Sequence, residues 1–188
     1  LEAKRKDQGP LETFHAAFEQ SDRLQNHIQF LYNRGSLYRV ENGNFICHGC
    51  VPMTDDGEFA ERSFGGQRLT GRALFNHHEM MARKAYFQKE PNAVDFMWYL
   101  WCGELSPLCG REIRSFERTF FVEKEAWAEK INPYYQICET RAGCETVLRE
   151  FGIGNKEGHI VNGHMPIRVS QGESPVKAGG QMIIIDGG

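Results

Sequence analysis

The stretch Phe45-Ile-Cys-His-Gly-Cys-Val-Pro52 decides the fold together with a second stretch of the same design, His159-Ile-Val-Asn-Gly-His-Met-Pro166. Each is a short apolar run that breaks at a glycine and closes on a proline, the pattern of a buried strand running into a tight loop. Each also places a histidine, His48 or His164, at the rim where strand gives way to loop. Upstream of the first, Ser36-Leu-Tyr-Arg-Val40 and the turn signal Glu41-Asn-Gly-Asn44 predict a hairpin that ends at residue 48. Downstream of the second, Gln181-Met-Ile-Ile-Ile-Asp186 reads as another glycine-flanked buried strand, with residues 167–169 a candidate third.

The remaining segments have helical period. In 11–33, Phe14, Ala17, Phe18, Leu24, Ile28 and Leu31 recur at helical spacing behind Pro10, which predicts one amphipathic helix. Residues 51–66 have loop composition. Helices are expected over 74–89 and 92–101, joined at Pro91, then over 116–131 up to the turn Asn132-Pro-Tyr-Tyr135, and over 142–151, stopped by Gly152. Helices mixed with buried strands predict an α/β class. Trp98-Tyr-Leu-Trp-Cys-Gly-Glu-Leu-Ser-Pro107 is too aromatic for a surface loop and is expected to line something.

The chain is 188 residues with 40% hydrophobic and 25% charged residues, enough for one packed domain and unlike a disordered or fibrous chain. A net charge of −3 supplies no basic excess to neutralise a phosphate backbone, which argues against nucleic-acid binding. No apolar run approaches the ~20 residues of a membrane span, and Leu1-Glu-Ala-Lys-Arg-Lys6 precedes no apolar stretch, so a cytoplasmic setting is expected. The six cysteines then read as free thiols. One exception stays open. Cys47-His-Gly-Cys50 has the spacing of half a zinc knuckle, and Cys138 with Cys144 is a loosely spaced second pair. A non-catalytic domain with structural zinc, or one that binds a partner, is therefore the alternative reading.

The motifs form an ordered series. Phe30-Leu-Tyr32, Gly35-Ser-Leu-Tyr38, Asn42-Gly-Asn44, His48-Gly-Cys-Val-Pro52, Asp95 to Pro107, Phe116-Glu-Arg118, Asn132-Pro-Tyr-Tyr135, Glu150-Phe-Gly152, Asn162-Gly-His-Met-Pro166 and Ile185-Asp-Gly-Gly188 stand in one register along the chain. This series resembles the class III fructose-1,6-bisphosphatases, members of the calcineurin-like metallophosphoesterase superfamily. The resemblance implies an α/β fold that is part of a calcineurin-like core, a β-sandwich flanked by helices, with residues 1–188 the C-terminal portion of one metallophosphatase domain. It implies that the N-terminal half, with the first three metal-binding blocks, is absent, and that the chain is cut at both ends, the last strand running directly into Asp186-Gly-Gly188.

By the same resemblance His48 and His164 match the last two metal-binding blocks and bind one ion of a dinuclear manganese centre. The implied activity is hydrolysis of fructose 1,6-bisphosphate to fructose 6-phosphate and phosphate, in gluconeogenesis. No catalytic residue falls in this chain, which is expected to be inactive alone and to need the missing half as its partner. Asn76-His-His-Glu79 imitates the third block but lacks its leading glycine and follows His48 in the chain, so it is taken as a decoy on a helix. Arg114, Arg118, Arg141, Arg168 and Lys177 are candidate phosphate clamps, since guanidinium groups match phosphate oxygens two bonds at a time. Arg118 and Arg168, inside or beside matching blocks, are preferred for the substrate. Asp186 is the candidate hydrogen-bond partner supporting His164. Oligomeric state has no signal in the sequence.

Overall fold

The computed structural model describes residues 8–154 and 157–186, and the chain divides into two units, residues 1–36 and 37–188. The first unit holds helices α1, Gln8–Glu19, and α2, Asp22–Arg34. The single helix expected over 11–33 is thus two. Ser21 takes an extended conformation and its hydroxyl accepts the Leu24 N–H at 3.3 Å, so a serine N-cap starts a new helix inside the polar stretch between Phe18 and Leu24. Gly35 closes α2 by donating to the Leu31 carbonyl at 2.7 Å.

The second unit begins with the expected hairpin. Strands β1, Tyr38–Glu41, and β2, Asn44–Cys47, are joined by Asn42 and Gly43, both at positive φ as a two-residue hairpin turn requires. The segment expected to be loop over 51–66 contains strand β3, Arg62–Phe64, which pairs across Gly65-Gly66 with β4, Gln67–Leu69. Both glycines have positive φ, so the Gly-Gly pair is the hairpin signal there. Helices α3, Gly71–Gln88, and α4, Pro91–Cys102, follow, separated by Lys89 in the left-handed conformation and with Pro91 at the first helical position.

In place of one helix over 116–131 there is α5, Ser115–Phe120, and a 3₁₀ turn, Lys124–Trp127. Phe121 at the end of α5 is extended, and the Trp127 indole donates back to its carbonyl at 3.1 Å, which folds the segment on itself. Helices α6, Tyr134–Ile137, and α7, Arg141–Glu150, come next. The Thr140 hydroxyl caps α7 at the Gly143 N–H, and Gly152, at φ 83°, ends it as expected.

The last strands are β5, His159–Asn162, β6, Val176–Lys177, and β7, Met182–Ile184. Residues 167–169 form no strand. The Glu173 carboxylate accepts the Arg168 N–H, and Val169–Gln171 is a 3₁₀ turn, so local bonds absorb backbone groups a ladder needs. These elements make one mixed sheet in the order β1-β2-β5-β7-β6, with β2, β5 and β7 parallel and both outer pairs antiparallel. The described residues hold no second sheet facing it; only the β3-β4 hairpin stands apart.

The core gathers Phe45 and Ile160 from the sheet with Phe75, Val147, Leu148 and Phe151 from the helical side. Phe45 and Phe151 pack with ring centroids 4.0 Å apart, and Tyr38 sits edge-on to both Phe75 and Phe151. Burying an aromatic side chain of this size contributes about 1.5–3 kcal/mol. The cluster therefore pins β2 and β5 as a rigid base for the loops that follow them. None of the described helices is long and apolar enough to cross a membrane.

Candidate metal site

Register brings the two histidine loops together. In the parallel pair β2-β5, Cys47 lies opposite Asn162, so the chain leaves both strands at the same edge of the sheet. His48 follows the first strand, and Gly163-His164 follows the second. His48 Nε2 lies 3.1 Å from His164 Nδ1, with ring centroids 5.0 Å apart and planes at 74°.

Three devices hold this juxtaposition. The buried Asn162 amide donates to the carbonyls of Cys47 at 3.3 Å, His48 at 3.0 Å and Gly49 at 2.6 Å. The Gly163 N–H donates to the His48 carbonyl at 3.1 Å. Gly49 lets the chain pass against the Trp98–Pro107 block: Cys50 N–H donates to the Pro107 carbonyl at 3.0 Å, and a Cβ on Gly49 would meet that carbonyl oxygen at 2.1 Å. His164 itself has φ 67°, a left-handed conformation uncommon for residues other than glycine, which asparagine, aspartate and histidine adopt more often than the rest. Strain of this kind costs on the order of 1–3 kcal/mol and persists where the surroundings over-determine it, often at functional sites.

Burial depresses the pKa of His164; the Cys109 carbonyl draws it partly back up, while His48 and Arg111 push it further down. His164 is thus a neutral imidazole at pH 7, the form that binds metals. Two imidazole nitrogens on one ion, each about 2.1 Å from it with an angle of about 90–110°, lie roughly 3.0–3.4 Å apart. The separation seen here fits. Among the described residues no group of three or more His, Cys, Asp or Glu side chains converges to hold a metal, so these two nitrogens form an incomplete ligand set.

A cleft of about 960 Å³ opens beside the pair, with Trp98, Trp101, Arg111 and Arg118 among its walls. The aromatic block of α4 therefore lines the cavity that holds the histidines. Arg118 is in this cleft and ion-pairs with Glu129 at 3.3 Å. Arg168 is exposed and is not among the cleft residues; its backbone N–H is engaged by Glu173. Arg114 is held by Glu112 and Glu117 at 2.5 and 3.0 Å. Asp186 makes no hydrogen bond to His164 among the described residues and acts on it only as the weakest of several nearby charges. Its backbone carbonyl accepts the Ile167 N–H.

Asn76-His-His-Glu79 lies on α3 and its side chains have other partners. Asn76 accepts from the Tyr38 hydroxyl, Glu79 accepts the Leu37 N–H, and His78 is fully buried against Phe64, Phe96 and Tyr99. Among the described residues the zinc alternative finds no ligand set either. All six cysteines are free, and Cys47 and Cys50 are buried in the apolar core, where burial pushes the Cys47 thiol up to about 12 and Cys50 up as well. Asn162 stands in a family motif but its tie to the His48 loop is visible only in the structure, and two residues of the site, Arg111 and Glu129, carry no recognisable sequence signal of their own.

The family model for Firmicute fructose-1,6-bisphosphatase matches residues 2–188. The chain is 44% identical over 179 residues to a class 3 fructose-1,6-bisphosphatase of Listeria monocytogenes serotype 4b (strain CLIP80459), covering 92% of this chain and 27% of that protein. It is 42% identical over 178 residues to the class 3 fructose-1,6-bisphosphatase of Clostridium botulinum (strain 657 / Type Ba4), again with 92% and 27% coverage. The Clostridioides difficile (strain 630) protein of the same name is 40% identical over 179 residues, with the same coverage. The chain thus spans about a quarter of the length of these curated relatives, a smaller share than the half suggested by the motifs. No solved structure matches it. The match over nearly the whole length, together with the identity to these relatives, establishes that the chain belongs to the Firmicute fructose-1,6-bisphosphatase family.

Proposed function

We propose that the chain supplies one wall of the active site of a fructose-1,6-bisphosphatase, hydrolysing fructose 1,6-bisphosphate to fructose 6-phosphate and phosphate in the cytoplasm. The observation that carries the reading is the 3.1 Å approach of His48 Nε2 to His164 Nδ1 at the same edge of two parallel strands. In this reading the mixed sheet is part of a calcineurin-like core whose second sheet and remaining metal ligands lie in the rest of the protein. His48 and His164 hold one ion of a dinuclear manganese centre. When bound, such ions polarise a phosphoryl oxygen and lower the pKa of water.

The chain's own residues have separable tasks. Asn162 and Gly163 fix the rims on which the histidines stand, and neutral His164 offers a lone pair rather than a proton. Trp98 and Trp101 wall the cleft, and Arg118 presents positive charge inside it. No third metal ligand converges on the histidine pair among the described residues, so the chain alone is expected to be inactive.

The test is phosphate release from fructose 1,6-bisphosphate with manganese, by the chain alone and by the chain co-expressed with the remaining three-quarters of the Listeria relative. Turnover is expected only in the assembled protein and is expected to be lost in His48→Ala and His164→Ala. Full activity in both variants would sink the assignment, as would turnover by the chain alone.

A further inference from the structure

We propose that Arg111 and Arg118, aligned by Glu129, form a phosphoryl-binding subsite in the cleft beside the histidine pair, taking a phosphate monoester dianion. The assignment deepens the bisphosphatase reading and rests on it for the identity of the ester. Its geometry comes from four observations.

Arg111 is carried on a short antiparallel ribbon. Glu112 N–H donates to the Lys130 carbonyl at 2.9 Å and Asn132 N–H to the Gly110 carbonyl at 3.0 Å, with Arg111 paired to Ile131. This ribbon places Arg111 beside Glu129. The Arg111 Nη1 lies 3.3 Å from Glu129 Oε2, and Arg118 Nη2, from α5, lies 3.3 Å from Glu129 Oε1. One carboxylate therefore holds two guanidinium groups, one on each oxygen, and leaves a net positive charge in the cleft. Glu129 is also the most buried of the three side chains, so it acts as a template rather than a solvated counter-ion.

Arg111 is also under-satisfied. Its Nε–H is buried and has no hydrogen-bond partner, although such groups in native proteins nearly always have one. An anion in the cleft therefore meets the exposed part of the guanidinium, the side chain being 42% exposed, rather than Nε, and guanidinium binds phosphate oxygens two at a time. Both arginines line the same cleft as His48 and His164.

The other arginines have competing positions. Arg114 is held by two carboxylates of its own, Glu112 and Glu117, and brings no positive surplus to the cleft. Arg168 is outside the cleft lining. The subsite thus replaces the pairing of Arg118 with Arg168 by Arg118 with Arg111.

The experiment titrates inorganic phosphate into the chain at low ionic strength, read by ³¹P line width, for the parent and for Arg111→Met, Arg111→Lys, Arg118→Met and Arg114→Met, with circular dichroism to confirm folding. Loss of a charge-assisted contact is expected to weaken phosphate about tenfold or more in Arg111→Met and Arg118→Met. Arg114→Met should bind as the parent does. Arg111→Lys, which keeps the charge and the fold but loses the planar fork, should fall between. Absence of saturable phosphate binding by the parent, or unchanged binding in Arg111→Met and Arg118→Met, overturns the subsite. Manganese binding measured in parallel by electron paramagnetic resonance separates the two readings: phosphate binding that depends on Arg111 in a chain where His48→Ala leaves manganese binding unchanged keeps the anion site and removes the metal assignment.

Discussion

The side-chain amide of Asn162 donates to the His48 backbone carbonyl at 3.0 Å, so the loop carrying one histidine is tied to the residue two before the other. The same amide reaches the carbonyls of Cys47 and Gly49, and it is buried. Asn162→Ala leaves these carbonyls without their shared donor, at a cost of about 1–3 kcal/mol. Asn162→Asp is expected to cost more, because it turns a carboxylate toward three carbonyl oxygens. Urea midpoints read the stability change. A manganese titration reads the positioning role: if Asn162→Ala binds manganese as tightly as the parent at a temperature where both are folded, Asn162 does not position His48.

Gly49 and Gly57 give contrasting outcomes for the same substitution. A Cβ at Gly49 would lie 2.1 Å from the Pro107 carbonyl oxygen and 3.0 Å from Leu108 backbone atoms, none of which can swing aside. Gly57 has φ 87° but nothing within 4 Å of the added atom. Gly57→Ala should therefore cost only its conformational strain, about 1–2 kcal/mol. Gly49→Ala must push adjoining backbone segments apart and is expected to cost at least about 3 kcal/mol. Equal urea midpoints for the two variants would contradict the close approach of the His48 loop to Pro107.

What the sequence revealed follows a physical division. Phe45 to Cys47 and His159 to Asn162 are legible because apolar strands bounded by glycine have few alternative readings, and the family motifs stand in order around them. The break at Ser21 falls where the apolar spacing of 11–33 lapses between Phe18 and Leu24, a gap that one helix also tolerates, and the deciding event is one hydroxyl accepting one N–H. The β3-β4 hairpin was hidden for the opposite reason: its strands have few apolar residues, and only Gly65-Gly66 marks them. Within the site, His48 and His164 were visible as residue types, but their proximity is a property of the Cys47–Asn162 register. Arg111 could not be told from other arginines by sequence, because its distinction is an unpartnered Nε–H and a shared Glu129.

His78 makes stability depend on pH independently of the site. Its Nδ1 faces the Leu74 carbonyl at 2.7 Å and its Nε2 is buried without a partner. Desolvation lowers its pKa from 6.5 to about 4, the Leu74 carbonyl opposing and His77 adding to the fall. The unfolded chain then takes up a proton between these pH values that the folded chain refuses. The neutral-histidine contribution is present in full above about pH 6.5 and is lost as pH falls toward 4, by roughly 3 kcal/mol. His78→Phe, which cannot titrate, should remove this slope from a plot of unfolding free energy against pH between 7 and 4. A slope unchanged in that variant would assign the acid sensitivity to another group.

His164 sets stability against function. Its φ of 67° is a conformation glycine adopts without strain, and alanine does not. His164→Gly should be more stable than His164→Ala by about 1 kcal/mol, even though glycine is the more flexible residue in the unfolded chain. Both substitutions remove the Nδ1 that faces His48 Nε2, so on the proposed metal assignment both should weaken manganese binding by more than about tenfold. His48→Ala should weaken manganese equally while changing the urea midpoint little, because His48 is exposed and at ordinary φ. If alanine at 164 were as stable as glycine, the left-handed backbone would be a consequence of the histidine rather than of the loop. If His164→Gly retained manganese, the two rings would face each other without sharing an ion.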